Sequence, residues 1–440
     1  MTNKNGGIHL FSLGLQHVLA MYAGAIVVPL VVGGALNLST QELSYLVAID
    51  LLTCGIATLL QAFKTKYFGI GLPVILGASF VAVTPMIGIG KEYGINAIYG
   101  SIIAAGIFII LFAPLFGKIT RLLFPSVVTG TVVTLIGLSL IPVGIKNMAG
   151  GAGSPKFGDP ENLLLSFGVF LLILFMNRFF TGFFRAISVL IGIIAGTVAA
   201  AFMGEVDVKE VMQASWIHSP KFLYFGTPTF ELVPILTMTL VGIVIMIEST
   251  GAFLALSKIC GKDLSDQDLA RGYRAEGLAF IIGGCLNAFP YNTFAQNVGL
   301  VQLTNIKTRS VAIVAGFILV TLGFIPKIAA FATMIPTSVL GGAMVIMFGM
   351  VVASGIKMLS TVDFQQQSNL LVIACSISLG LGSTVVPDLF AQLPPMLRIL
   401  FSDGIITGSL TAIFLNLFFH HFSLKKSSAV EQLKPTTIKF

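Results

Sequence analysis

Charged residues are scarce in this sequence. Of its 440 residues only 10% are Asp, Glu, Lys or Arg, whereas 56% are hydrophobic and the mean hydropathy is +0.97. A chain of this length with so few charges has too little polar surface to be a water-soluble globule. The composition therefore predicts an all-α polytopic membrane protein.

Cysteine and the common catalytic motifs are also sparse or absent. The four cysteines, Cys54, Cys260, Cys285 and Cys375, are scattered and have neither a metal-ligand spacing nor a redox-pair spacing, so we expect free thiols. The chain has no HExxH, no paired His/Asp cluster and no GxSxG. A membrane enzyme is therefore disfavoured, we expect no metal or other cofactor, and no segment is long and polar enough for the output domain of a sensor.

Long apolar windows recur along the chain and predict about fourteen membrane crossings, several of them short or broken. They lie at 9–32, 43–63, 72–89, 95–115, 124–144, 163–180, 184–203, 232–257, 275–288, 290–304, 309–331, 336–356, 369–386 and 403–419. No small-residue cleavage site precedes the first window, so we expect no removed signal peptide.

The distribution of Lys and Arg predicts the orientation. With both termini in the cytoplasm of a bacterial cell, 18 of the 25 basic residues fall on the inner side of the inner membrane, in agreement with the positive-inside rule. The net charge of +7 is explained by basic loops that face anionic lipid, so no nucleic-acid partner is expected.

The most polar stretch among the apolar windows is Phe289 to Asn305, FPYNTFAQNVGLVQLTN. Pro290 interrupts any helix that enters it, the next residues favour an extended backbone, and a helical pattern resumes near Gln296. Irregular backbone at membrane depth is tolerated where it lines a cavity, so the stretch predicts a broken helix whose first turn faces a ligand. The alternative is an ordinary polar loop between two short helices.

Two short matches suggest that the halves of the chain are related. The group Pro125, Ser126, Val128 and Gly130 matches Pro336, Thr337, Val339 and Gly341 in residue type and spacing. In addition, LPVILGASF at 72–80 resembles FPYNTFAQN at 289–297. These matches predict a 7+7 inverted repeat with short extended stretches in segments 3 and 10, and a substrate site near the membrane midplane where these segments meet.

Gln296, Asn297, Gly299 and Thr304 resemble the signature of the nucleobase/ascorbate transporter family, and the run QNVGLVQLT is most similar to that of bacterial xanthine and uric acid permeases. Asn305 departs from the family's usual Arg, Lys or Gly. The resemblance implies proton-coupled transport of a purine and a homodimer formed through a gate domain. It divides the chain into core domain 1–118, gate domain 119–230, core domain 231–333, gate domain 334–422 and a cytoplasmic tail at 423–440.

Several polar residues lie within apolar segments. Gln16 and His17 match the family's Gln-His pair, which implies support of the site, although a buried His is often purely structural. Asp50 is an intramembrane acid that could line a cavity, pair with a polar neighbour or transfer a proton.

Glu248 is the most informative single charge, because a carboxyl after a long apolar run needs a cavity or a partner and can exchange a proton there. Its alternative role is a carboxylate satisfied by neighbouring hydroxyls. The resemblance places it at the family's substrate-binding acid. Glu276 matches a further acidic position, although the cations before it also suit an interfacial ion pair.

The substrate contacts predicted around these acids come from both broken segments. Phe80 offers an aromatic face for a flat heterocycle, although a single Phe is often core or lipid-facing, and Ser79 permits close backbone approach. Phe294, Ala295, Gln296 and Asn297, at the start of the resumed helix, are the other expected substrate contacts. The expected cargo is xanthine or uric acid with a proton. Uracil or guanine carriers of the same family, and an anion transporter or channel of the same fold, remain alternatives.

Overall fold

The fold is helical and contains one very small sheet. A computed structural model describes residues 5–217 and 219–420, so the predicted tail at 423–440 lies outside the described residues. The helices in chain order are α1 Asn5–Ala35, α2 Thr40–Ala62, α3 Val83–Tyr93, α4 Ile95–Leu123, α5 Ser126–Met148, α6 Pro160–Phe179, α7 Gly182–Ala186, α8 Ser188–Phe202, α9 Lys209–Gln213, α10 Leu232–Cys260, α11 Asp266–Leu286, α12 Ala295–Thr304, α13 Arg309–Gly323, α14 Pro326–Thr333, α15 Thr337–Leu359, α16 Gln367–Val385, α17 Pro395–Ser402 and α18 Gly404–His420; the strands are β1 Leu76–Ala78 and β2 Tyr291–Thr293.

Eight of these helices are long and apolar enough to cross a membrane, and α13 with α14 forms a ninth, bent crossing with an angle of 80°. Both counts refer to the described ranges. The remaining predicted crossings correspond to shorter, broken or more polar elements, namely β1 with α3, α8, α11, β2 with α12, and α18.

The ninth apolar window, 275–288, places the start of its helix too late in the chain. The corresponding helix, α11, begins nine residues earlier, at Asp266. The charged residues of its first turns are helical because Ser265 and Asp268 form a capping box. In addition, Asp268 forms ion pairs with Lys64 and Arg271, both at 2.7 Å, which compensate the carboxylate.

The two strands meet in the buried interior. They pair antiparallel, with Leu76 opposite Thr293, Gly77 opposite Asn292 and Ala78 opposite Tyr291. Each strand leads into a short helix, β1 through a turn of 3-10 helix at Phe80–Ala82 and β2 directly. Two half-helices therefore begin on either side of one crossing point.

The helices pack in two groups. The carrier group contains α1–α4 and α10–α14, in which α2 packs against α13 and α4 packs against α10 and α11. The frame group contains α5–α8 and α15–α18, and its central pair is α5 with α15. These two helices approach closely because Gly355 faces Thr134, where an added Cβ would lie 2.3 Å from the hydroxyl.

Candidate substrate site at the strand crossing

The strand crossing, by which we mean the antiparallel pair of β1 and β2, is buried. Backbone hydrogen bonds beyond the three paired residues also hold it. The N–H of Ser79 donates to the carbonyl of Pro290 at 2.8 Å, and the N–H of Phe294 donates to the carbonyl of Ile75 at 3.0 Å. All six strand residues are buried. These bonds hold the starts of the two half-helices next to each other.

Phe294 lies directly before α12, and its ring fills the space beside both halves of the crossing. An added Cβ at Gly77 would lie 2.2 Å from this ring, and one at Gly24 on α1 would lie 2.6 Å from it. Glycine at these two positions therefore allows the ring to lie against the backbone of β1 and α1.

Phe80, predicted as a stacking surface, is buried and lies in an aromatic cluster. Its ring centroid is 6.3 Å from that of Phe294 and 5.3 Å from that of Phe348. Phe348 belongs to α15, so the second contact joins the carrier group to the frame group. Ser79 is buried next to Phe80, and its hydroxyl accepts a bond from the N–H of Val81 at 3.3 Å.

Glu248 lies on α10, is half-buried and faces strand β2. The side-chain amide of Asn292 donates to its Oε2 at 2.5 Å. The following residue, Ser249, accepts a bond from the N–H of Thr293 at 3.4 Å, so α10 is attached to β2 at two consecutive residues.

Glu276 lies on α11 close to Glu248. It is fully buried and lies against the side chain of Ser249. Among the described residues neither of its carboxyl oxygens has a partner in hydrogen-bond geometry. The fold therefore brings two acids from neighbouring helices to one side of the strand crossing.

The first turn of α12 connects the site to α1. Asn297 is buried, and its amide donates to the backbone carbonyl of His17 and faces Nδ1 of the same residue, both at 3.0 Å. Gln296 is half-buried in this turn. Ala295 is the first residue of the helix, so its backbone lies beside the crossing.

Asp50 lies on the opposite side of β2 from Glu248. It is buried in α2, where Tyr291 donates its hydroxyl to Oδ1 at 3.3 Å and the thiol of Cys54 faces Oδ2 at 3.7 Å. The hydroxyl of Thr53 also contacts that of Tyr291. These contacts attach β2 to α2 on the side opposite Glu248.

Two predicted residues lie apart from these groups. Thr304 ends α12, where its hydroxyl donates to the carbonyl of Leu300 at 2.9 Å and accepts a bond from the N–H of Ile306 at 3.5 Å, so both contacts are local. Gln16 is half-buried next to His17 on α1. Across the part of the chain that the structure describes, no group of three or more His, Cys, Asp or Glu side chains could hold a metal ion.

Sequence reasoning missed three residues of the site, Asn292, Tyr291 and Phe348. The first two lie in the polar stretch that was singled out, but their partners Glu248 and Asp50 are distant in the chain. Only the expected extended backbone, whose side chains alternate between two faces, could have suggested that Tyr291 and Asn292 point to different partners. Phe348 carries no signal in its apolar helix.

Comparison with known proteins gives consistent results. Residues 8–389 match the sequence profile described as Permease family. The uric acid permease PucJ of Bacillus subtilis is 64% identical over 98% of this chain and 97% of its own length. A xanthine permease of the same bacterium is 55% identical over 98% of this chain and 97% of its own length.

A solved structure shows the same architecture. The transmembrane domain of the cyanobacterial bicarbonate transporter BicA matches with a TM-score of 0.60 and 14% identity, over 93% of this chain and 96% of that domain. This likeness shows the fold alone, a 7+7 inverted repeat with the short strands in its third and tenth segments, as the sequence predicts.

Proposed function

We propose a substrate and a mechanism for this chain, which belongs to the nucleobase/ascorbate transporter family. It is a multi-pass membrane permease and not an enzyme. Its function in this proposal is uptake of an oxidised purine, xanthine or uric acid, together with a proton across the bacterial inner membrane. The relatives named as uric acid and xanthine permeases support this substrate class.

The single observation that carries the proposal is the position of Glu248 at the strand crossing, where it receives a bond from Asn292. None of the four ion pairs among the described residues includes Glu248. Glu248 thus has no cationic partner and lies beside the start of a half-helix. Its carboxylate can accept hydrogen bonds from N–H groups of a ligand and can also take up a proton.

The surroundings of Glu248 suit a flat heterocycle with alternating donors and acceptors. Gln296 offers an amide that both donates and accepts, and the first N–H groups of α12, including those of Ala295 and Gln296, can donate to ring carbonyls. Phe80 supplies an apolar face for stacking. Neither broken segment, 72–89 or 290–304, contains Lys or Arg, which favours a purine over an inorganic anion.

Proton coupling follows from the two protonation states of Glu248 in this proposal. A neutral carboxyl donates a hydrogen bond where a carboxylate can only accept, so purine affinity depends on the bound proton. Glu276, Asp50 and His17 are the neighbouring groups that support or share the proton. Asn297 holds His17 and α12 together while this occurs.

The movement proposed is a shift of the carrier group along the frame group. Both half-helices and every polar site residue belong to the carrier group, so the purine would move with it. The frame group would remain fixed in the lipid bilayer and would form the interface of a homodimer. Both termini of the chain would lie in the cytoplasm.

Uptake of radiolabelled xanthine tests this function in cells that lack their own purine carriers, with and without a protonophore. We expect uptake that the protonophore abolishes and that unlabelled xanthine or uric acid blocks more strongly than guanine or uracil. Block by uracil alone, or no uptake by protein present in the membrane, would contradict the proposed substrate.

The matched variant is Glu248→Gln, which keeps the size of the side chain and removes the titratable group. We expect it to reach the membrane at normal levels and to lose proton-driven accumulation. Normal accumulation by this variant would contradict the role of Glu248.

A further inference from the structure

Asn292 is buried at the centre of β2 and forms the polar contact that joins this strand to Glu248. Its amide nitrogen lies 2.5 Å from Oε2 of Glu248, a residue on a different helix. Asn292 as a whole is 5% exposed. A hydrogen bond from a buried amide on a paired strand restricts the position of this carboxyl oxygen.

The residues around Asn292 hold its backbone in place. Its partner across the strand pair is Gly77, against which the ring of Phe294 lies. The preceding residue, Tyr291, points to Asp50, and the N–H of the following residue, Thr293, donates to Ser249. The backbone of Asn292 therefore keeps its distance from α10 unless the strand itself moves.

The chemistry of an amide suits this position. An amide N–H can donate to a carboxylate or to the carbonyl oxygen of a neutral carboxyl, whereas Lys or Arg would strongly favour the charged form. Within residues 5–217 and 219–420, the bond from Asn292 is the one hydrogen bond that Glu248 accepts. The other oxygen, Oε1, is left for a ligand or a proton.

We propose that Asn292 positions the carboxyl group of Glu248. Asn292 holds Oε2, so that Oε1 faces the ligand whether Glu248 is protonated or ionised. This inference deepens the proposed function and rests on it. Asn292 acts through the carboxyl and not by touching the purine. The acid on α11 that interacts electrostatically with Glu248 is Glu276, and it remains unchanged in every variant below.

A double-mutant cycle tests this role with purified full-length protein and uric acid as the probe. We expect Asn292→Leu to weaken binding of uric acid about ten-fold or more, as loss of a charge-assisted bond does. Since Asn292 works through Glu248, the double variant with Glu248→Gln should bind no more weakly than Glu248→Gln alone. Losses that multiply in the double variant, or unchanged binding by Asn292→Leu, would overturn the proposal.

Thr293→Val is the matched control, because Thr293 is equally buried on the same strand and, among the described residues, its hydroxyl has no hydrogen-bond partner. It should bind uric acid normally. If the thermal midpoint of Asn292→Leu falls far below that of Thr293→Val and binding falls only in proportion to the folded fraction, Asn292 is merely structural and the proposal is wrong.

An infrared measurement separates failure of this inference from failure of the proposed substrate. The carboxyl band of Glu248 is the one lost in Glu248→Gln, and it needs no ligand. We expect Asn292→Leu to shift this band and Thr293→Val to leave it in place. A wild-type protein that binds no oxidised purine would refute the proposed function, whereas an unshifted band in Asn292→Leu would refute the positioning role by itself.

Discussion

The contact between His17 and Asn297 connects the first helix to the start of α12 through a single side chain. Asn297 directs its amide to both the backbone carbonyl and Nδ1 of His17, so Nδ1 acts as an acceptor in this arrangement. Both residues are buried, and an amide that loses a buried partner remains unsatisfied at a cost of about 1–3 kcal/mol. The pair should therefore determine where the first turn of α12 lies.

We expect His17→Leu to reduce purine uptake by about ten-fold, because the leucine side chain offers no acceptor and Asn297 keeps only the backbone carbonyl of residue 17. His17→Asn should retain more uptake than His17→Leu, since its side-chain oxygen can replace Nδ1. Initial uptake rates, normalised to protein in the membrane, measure this difference. His9→Leu is the control, because His9 is exposed on the same helix. Equal rates for the two His17 variants would rule out the acceptor role.

At the scale of elements, the pairing of β1 with β2 depends on the close approach of the Phe294 ring to the backbone at Gly77. An added Cβ at Gly77 would meet three atoms of the Phe294 ring, at 2.2, 2.6 and 2.9 Å. A ring that is packed against α1 on its other side cannot move away freely. The crossing therefore requires glycine at this position for steric reasons.

Gly77→Ala should reduce uptake at least about ten-fold, since either the ring or the strand pair must shift within a densely packed interior. Gly88→Ala is the matched control, because Gly88 lies on α3, which follows the same strand, and has no atom within 4 Å of an added Cβ. It should transport normally, and its helix should gain about 1 kcal/mol in stability. Normal uptake by Gly77→Ala would contradict the steric account.

The opposite side of β2 is held by Tyr291, which donates to Asp50 and contacts Thr53. Tyr291→Phe removes the hydroxyl and leaves the buried carboxyl without this donor, so the free energy of unfolding should fall by about 1–3 kcal/mol. A lower thermal midpoint of the purified protein reports the loss. Tyr67→Phe, in an exposed loop, should leave the midpoint unchanged. A midpoint for Tyr291→Phe equal to that of the control would show that Asp50 does not depend on this bond.

Much of the element order could be predicted, because apolar windows and the polar stretch at 289–305 are local signals. Pro290 and the residues after it predict a break and an extended segment, and the structure has β2 and α12 there. The internal repeat predicted that the two broken segments meet, as β1 and β2 do. Their register and the bond from Asn292 to Glu248 could not be predicted, because these contacts join segments that lie far apart in the chain. The early start of α11 was missed because ion pairs compensate charges that an apolar window counts as costly.

At the scale of the whole molecule, an exposed ion pair joins the two helix groups. Arg398 on α17 of the frame group lies 3.1 Å from Glu92 near the end of α3 in the carrier group. An exposed pair contributes only about 0–1 kcal/mol, so it can break during each transport cycle. A permanent link at this position would prevent relative movement of the groups.

Cysteines at both positions, Glu92→Cys with Arg398→Cys, should stop uptake when joined by a short bifunctional thiol reagent in a background without the native cysteines. The matched control places cysteines at Lys156 and Glu205 instead. These two residues form an ion pair of 2.6 Å within the frame group. Linking that pair should leave uptake intact. Full uptake after complete linkage of 92 to 398 would argue against movement of one group along the other.

Accumulation of labelled uric acid in liposomes that contain the purified protein tests the central claim most directly, when a pH gradient is imposed across the membrane. We predict that the wild-type protein concentrates uric acid only when the outside is more acidic. Glu248→Gln should exchange purine without concentrating it. Equal accumulation by the wild-type protein with and without the gradient would contradict the account.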